Sequence, residues 1–273
     1  MIPLDSLHLR LLAAVSAIAP ALALLLYFAG STSWRHLREL VWIGFGLGFA
    51  AAIPIAGVAG LYTPLIETIE PVRLHAFAVA FLGAAVPEEV GKFLVVLYFM
   101  LRHEDMRQPL DALVLSVMVS LGFATIENLY YVFGAENWTE TAMLRAVTAV
   151  PMHATVGIIM GYFAARYATP QVTGRYCLIA MLVVPTVLHG LYDYPVFAVQ
   201  QVLINDPTDG GSKLAEFQVI FVFAITATAL TAILAVRALL ADPLASTPIP
   251  FPRNARLRHP QATPPTIGAS RHG

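Results

Sequence analysis

The sequence predicts an all-α, polytopic integral membrane bundle of about seven transmembrane helices, and three observations carry that expectation. Hydrophobic residues make up 58% of the 273 and charged residues only 12%, against about 25% charge in a soluble domain. The mean hydropathy is +0.72, so the chain cannot cover its own surface with polar groups and lipid must solvate most of it. The apolar residues also gather into runs near 9–29, 40–62, 73–101, 111–133, 143–167, 175–200 and 215–240, each close to the about 20 helical residues that cross a hydrocarbon core.

The first run, from Leu11 to Gly30, is interrupted clearly only by Ser16. It exceeds the roughly 7–15 apolar residues of a signal-peptide core, so it reads as an uncleaved span. The separators, such as STSWRHLRE, RHEDMRQPLD and GAENWTET, are too short to form a soluble domain. Residues 1–240 therefore read as one membrane domain, with 73–200 as its chemical core. Residues 241–273 turn to Pro, Arg, Ser and Thr and read as a disordered cytoplasmic tail. No internal repeat is visible. The net charge of −1 gives no nucleic-acid signature, and the single cysteine, Cys177, rules out an intrachain disulfide.

Lys/Arg bias orients the spans. With the N-terminus outside, the inner segments hold Arg35, Arg38, Arg102, Arg107, Arg166, Arg175, Arg237, Arg253, Arg256, Arg258 and Arg271, while the outer ones hold Arg10, Arg73, Arg145 and Lys213. The expectation is N-out, C-in.

Against this apolar background stand ionisable residues that cost roughly 2.5–3.5 kcal/mol each at a bilayer centre when charged. AAVPEEVGKFLVV carries Glu88, Glu89 and Lys92; LGFATIENLYYV carries Glu127 and Asn128; VPMHATVGIIMGYF carries His153; VPTVLHGLYDYP carries His189 and Asp193. Four consecutive spans each contribute. Glu88 and Lys92 lie four apart and share a helix face, as do His189 and Asp193. Glu89 points about 100° from Glu88, which suggests a different task. Pro87, Pro151 and Pro185 precede three of these residues, and a helix-interior proline kinks a helix and frees carbonyls that need partners. Three kinks beside ionisable groups predict a water-holding cavity.

Blander readings stand beside these. Glu88–Lys92 alone could be a structural ion pair, His153 an interhelical hydrogen bond, and Gly157 with Gly161 simple close packing. A carboxylate that orients a histidine, as Asp193 could orient His189, is a recurrent catalytic and metal-site device. The constellation, more than any member, marks a functional site.

The motifs E-E-x-x-K (Glu88, Glu89, Lys92), F-x-x-x-E-N (Phe123, Glu127, Asn128), the span-five His153 and H-x-x-x-D (His189, Asp193) together resemble those of the PrsW family of bacterial intramembrane proteases. That family is similar to the CAAX-processing and bacteriocin-processing proteases and to the multispan scaffold subunit of gamma-secretase. The resemblance covers residues 88–193. It implies endoproteolysis of single-pass, membrane-anchored substrates, of which anti-sigma factors are the best-known type, in the bacterial plasma membrane.

Peptide hydrolysis needs an activated water, an oxyanion stabiliser and a proton donor for the leaving amine. The expected catalytic set is Glu88, Glu89, Glu127, His153, His189 and Asp193, supported by Lys92 and Asn128. Glu88, assisted by Glu127, would activate water, and His189 would donate. The same atoms could instead hold Zn²⁺ through Glu88, Glu127, His153 and His189. The lack of H-E-x-x-H and the spread of histidines over separate spans tilt the reading towards metal-free chemistry. A proton-coupled transporter would also bury such groups but should show inverted repeats, and a non-catalytic scaffold would need no complete motif set. Counting 1.5 Å per residue from the outer span ends places the cluster in the middle to outer half of the bilayer, so cleavage is expected near the extracytoplasmic side.

Overall fold

The computed structural model describes residues 6–30, 38–102, 106, 108–168, 174–205 and 210–243. Its elements are α1 (Leu7–Gly30), α2 (Arg38–Ile66), α3 (Val72–Ala78), a π-helical turn (Val79–Ala85), α4 (Val86–Arg102), α5 (Pro109–Gly134), α6 (Trp138–Val147), α7 (Ala149–Ala168), α8 (Gly174–Asn205) and α9 (Gly210–Ala241). No strand occurs among the described residues, and the all-α membrane bundle stands. Six stretches are long and apolar enough to cross a membrane. The seventh expected span is the α3–π–α4 run, which carries Glu88, Glu89 and Lys92. The Pro/Arg tail from residue 244 lies outside the described residues, as do Arg35 and Arg107.

The bundle is built around α5. Its most apolar stretch is 89% buried, against 22% in α1 and α9, which turn residues such as Leu7, Val219 and Phe223 outward. An apolar exterior is what lipid as solvent requires. A Gln108–Asp111 capping box with a proline in the first turn starts α5, where Pro109 forfeits an N–H that would have no helical partner. Helices α2 and α7 press on α5 through glycines. A Cβ on Gly48 would come within 1.9 Å of the Val119 carbonyl oxygen, and one on Gly161 within 2.5 Å of Leu113 Cα. Close packing is thus the role of Gly161, as its G-x-x-x-G spacing suggests.

The prolines behave differently from expectation. Pro185 is interior to α8, and Pro87 is interior to the unbroken α3–π–α4 run. Pro87 follows the π-turn, where the Val86 N–H reaches back to the Phe81 carbonyl; widening the helix by one residue relieves the clash a proline ring makes with the preceding turn. Pro151 lies in the first turn of α7, where a proline is tolerated. The fifth span is broken in two, and α6 occupies residues that composition assigns partly to a loop.

Candidate active site

Helices α4, α5, α7 and α8 bring all the expected site residues together. The first turn of α4 presents Glu88 and Glu89. Lys92 is centred between them: its Nζ donates to Glu89 Oε1 at 2.8 Å, Glu88 Oε2 at 3.3 Å and His153 Nδ1 at 3.2 Å. The Phe123 ring caps the ammonium, 4.4 Å from Nζ. Because His153 Nδ1 accepts from Lys92, its Nε2–H is left to donate to Glu127 Oε2, at 2.5 Å. Across the cluster, His189 Nδ1 meets Glu89 Oε1 at 2.8 Å and its Nε2 meets Asp193 Oδ2 at 3.2 Å. Glu88 Oε2 lies 3.8 Å from the same Nε2. The two imidazoles stand edge to face, 5.2 Å between centroids.

Burial divides this network. Glu89 and His153 are fully buried and Lys92 and His189 all but so. Glu88, Glu127 and Asp193 keep 12–17% of their side-chain surface. Glu127 and Asp193 line a cavity of about 840 Å³ at the end of the bundle where α5 stops, α6 lies and α9 begins. A cavity, as expected from the sequence, is present there, although Pro151 stands in the first turn of α7 and does not kink it.

Glu88, Glu89, His153 and His189 each offer one ligand atom, all within 4.8 Å of one another. Glu89 Oε2 is buried without a hydrogen-bond partner. Two imidazoles, two carboxylates and an unsatisfied carboxylate oxygen suit a divalent cation. This quartet differs from the one read from the sequence. Glu89 takes the place of Glu127, which stands to the side and ties His153 to Arg145. Glu88 and Glu89 leave the helix about 100° apart, but both carboxylates reach around to Lys92.

The chain belongs to the PrsW family. The match to "PrsW family intramembrane metalloprotease" spans residues 36–231. Protease PrsW of Geobacillus kaustophilus is 34% identical over 184 residues, covering 67% of this chain and 79% of that protein. Protease PrsW of Bacillus subtilis is 33% identical over 182 residues, covering 66% and 80%. No solved structure matches. As a family member the chain is an intramembrane peptidase, and its apolar helices set it in a lipid bilayer.

Sequence reasoning missed Arg145. Charge bias alone makes it only an outer-segment cation, yet its Nε donates to Asn128 Oδ1 at 2.7 Å and its carbon centre lies 4.2 Å from the Tyr131 ring centroid. Its Nη2 stands 3.0 Å from Glu127 Oε1, an ion pair by distance without hydrogen-bond alignment. Asn128 in turn donates to the Ala17 carbonyl of α1 at 3.2 Å, so its part is to fix Arg145 rather than to reach the buried quartet. The available signal was an arginine two residues into an apolar run, where a cation requires a partner.

Proposed function

We propose that this protein cuts single-pass membrane protein substrates near the extracytoplasmic end of their transmembrane helix, using Glu88 as the group that takes a proton from the attacking water. One observation carries the assignment of the base: Glu88 is the acid of the E-E pair that keeps an open edge. Glu89 is sealed and committed to both Lys92 and His189. A base must reach water, and a sealed, doubly bonded carboxylate cannot.

The rest of the chain's chemistry follows from placement. Lys92 neutralises the paired acids and fixes their spacing. His189, held between Glu89 and Asp193, has its Nε2 face near Glu88, where it can donate to the developing oxyanion or the departing amine. His153 transmits the pull of Glu127 to Lys92 and keeps that carboxylate out of the reaction. In place of those proton roles, the donor set of Glu88, Glu89, His153 and His189 would hold a divalent cation if His153 Nδ1 gave up its bond from Lys92; Glu88 and His189 would then be ligands, and the cation would supply Lewis-acid polarisation and a more acidic water. The presence of an unsatisfied Glu89 oxygen gives that reading more weight than the sequence alone did.

The N-out, C-in arrangement follows from the arginine bias of the inner segments. It makes the cavity end of the bundle extracytoplasmic; the similarity to the PrsW proteases of Geobacillus and Bacillus supports a bacterial plasma membrane. Glu127 lies seven residues before the end of α5, about 10 Å along the helix, so the reacting groups are closer to that face than to the other. A transporter or a catalytically silent scaffold explains the site less well, because a transporter of this kind should show inverted repeats, which the sequence does not, and a silent scaffold needs no complete motif set. Co-expression with a library of tagged single-pass proteins tests the reading. Cleavage by the wild type that disappears in Glu88→Gln supports it, and cleavage that persists in a normally inserted Glu88→Gln protein rejects the assignment of the base. Fragment termini from the cytoplasmic third of the substrate helix would reject the predicted side of cleavage.

A further inference from the structure

The cavity has more room and more apolar wall than activating a water requires. It encloses about 840 Å³, inside the range of roughly 300–1,000 Å³ typical of ligand pockets. At one end Glu127 and Asp193 connect it to the reacting groups, with Arg145 beside them. Its lining also includes apolar side chains, with Phe197, Phe217 and Phe221 prominent.

This combination matches a particular need. A peptide bond within a helix cannot be attacked until its turn is opened, and opening frees N–H and C=O groups that hydrocarbon cannot satisfy. The opened segment therefore requires acceptors, donors and an apolar surface in one place. Glu127 and Asp193 are acceptors. Arg145 is the cation among the described lining residues, and its guanidinium carries five N–H donors, more than Asn128 and Glu127 take. It keeps 15% of its side-chain surface while Asn128 and the Tyr131 ring hold it in place.

We propose that this cavity seats the unwound substrate segment beside the scissile bond, its aromatic wall taking a bulky apolar side chain and Arg145 donating to a backbone carbonyl of that segment. The proposal rests on the protease reading above. A lipid acyl chain would suit the aromatic wall but carries no amide groups to meet the polar end, which is why a polypeptide is the occupant chosen. Arg145 acts here as a specificity and positioning residue, distinct from the groups that move protons.

The test uses full-length protein in lipid vesicles and a tagged single-pass membrane protein that the wild type cleaves. Photoreactive benzoylphenylalanine is placed singly at Val196, Gln218 or Val222 in the Glu88→Gln background. Val196 and Gln218 line the cavity, whereas Val222, also on α9, is 63% exposed and outside its walls. Substrate crosslinks should concentrate at 196 and 218; equal yields at all three positions, a preference for 222, or crosslinks to lipid alone overturn the proposal. Kinetics supply a second readout in the otherwise wild-type enzyme. Narrowing the cavity with Val199→Trp should raise KM about ten-fold with a smaller change in kcat, the pattern of lost uniform binding. Arg145→Met should do the same, with partial recovery in Arg145→Lys, and an unchanged KM in Val199→Trp contradicts the assignment. If Glu88→Gln still cleaves but crosslinks remain confined to the cavity, the choice of base fails while the seat stands.

Discussion

The sealed half of the site and its open half solve the same electrostatic problem in different ways. In the sealed half, Glu89, Lys92, His153 and His189 have almost no exposed surface, and each charge is answered by a neighbour within about hydrogen-bond distance. In the open half, Glu127, Asp193 and Arg145 are paired to His153, His189 and Asn128 but border the cavity and keep 14–17% of their side-chain surface. Burial makes the first half a rigid scaffold in which a missing partner is costly. Access makes the second half a place where partners can be exchanged, which is what catalysis on an incoming chain requires. Glu88 stands at the border, paired inward to Lys92 yet open at its edge.

This contrast can be broken most severely at the border. Glu88→Gln keeps the volume and removes the proton acceptor, so cleavage should fall by about 10²–10⁴-fold, while size-exclusion behaviour and circular dichroism stay those of the wild type. His189→Ala should give a loss of similar order. Wild-type turnover in both variants would dismantle the mechanism.

The sealed half should answer to Lys92→Met next. Removing the ammonium strands two buried carboxylates, a change worth about 3–5 kcal/mol where a buried pair loses one member. Lower yield and a markedly lower Tm in a fluorescence-detected melt are expected, whatever happens to activity. A melt unchanged from the wild type would mean that the acids do not depend on this cation.

The quartet's fit to a divalent ion sharpens the division further. Purified protein should carry close to one divalent ion per chain by elemental analysis, and His153→Ala, which deletes one donor, should carry less. Because metal content is read directly, the outcome does not depend on activity. Protein that binds no divalent ion under any loading condition would leave Lys92 as the cation that organises the acids.

At the small end lies an exposed pair that belongs to neither half. Arg73 and Glu216 approach to 2.9 Å with side chains 63% and 44% exposed, so Arg73→Met should shift stability by no more than about 1 kcal/mol. A large loss there would show that α3 and α9 depend on their surface link far more than a solvated pair should allow.

Much of this architecture can be read from the chain. Hydropathy locates the spans because lipid demands continuous apolar surface, and the ionisable residues stand out because little else in those spans is charged. Glu88, Glu89, Lys92, Glu127, His153, His189 and Asp193 all converge as their motifs suggest. Spacing alone could not reveal which acids share a cation. A helical angle places Glu88 and Glu89 apart, but a long lysine at i+3 and i+4 draws them together. Nor does periodicity foresee the π-turn at Val79–Ala85 or the break between α6 and α7, since each arises from local backbone geometry that composition does not record. Arg145 escaped for a third reason. Its partners Glu127 and Asn128 lie seventeen or more residues away in the sequence, on another helix, and long-range pairing leaves no mark in local pattern.

The claim that the border group Glu88 reacts while the open half receives the substrate is tested most directly by steady-state cleavage of a single-pass substrate in lipid nanodiscs, comparing Glu88→Gln with Arg145→Met. The account predicts that Glu88→Gln collapses kcat by about 10²-fold or more with KM little changed, whereas Arg145→Met raises KM and largely spares kcat. The same kinetic defect in both variants, or a kcat collapse confined to Arg145→Met, would contradict the division of labour.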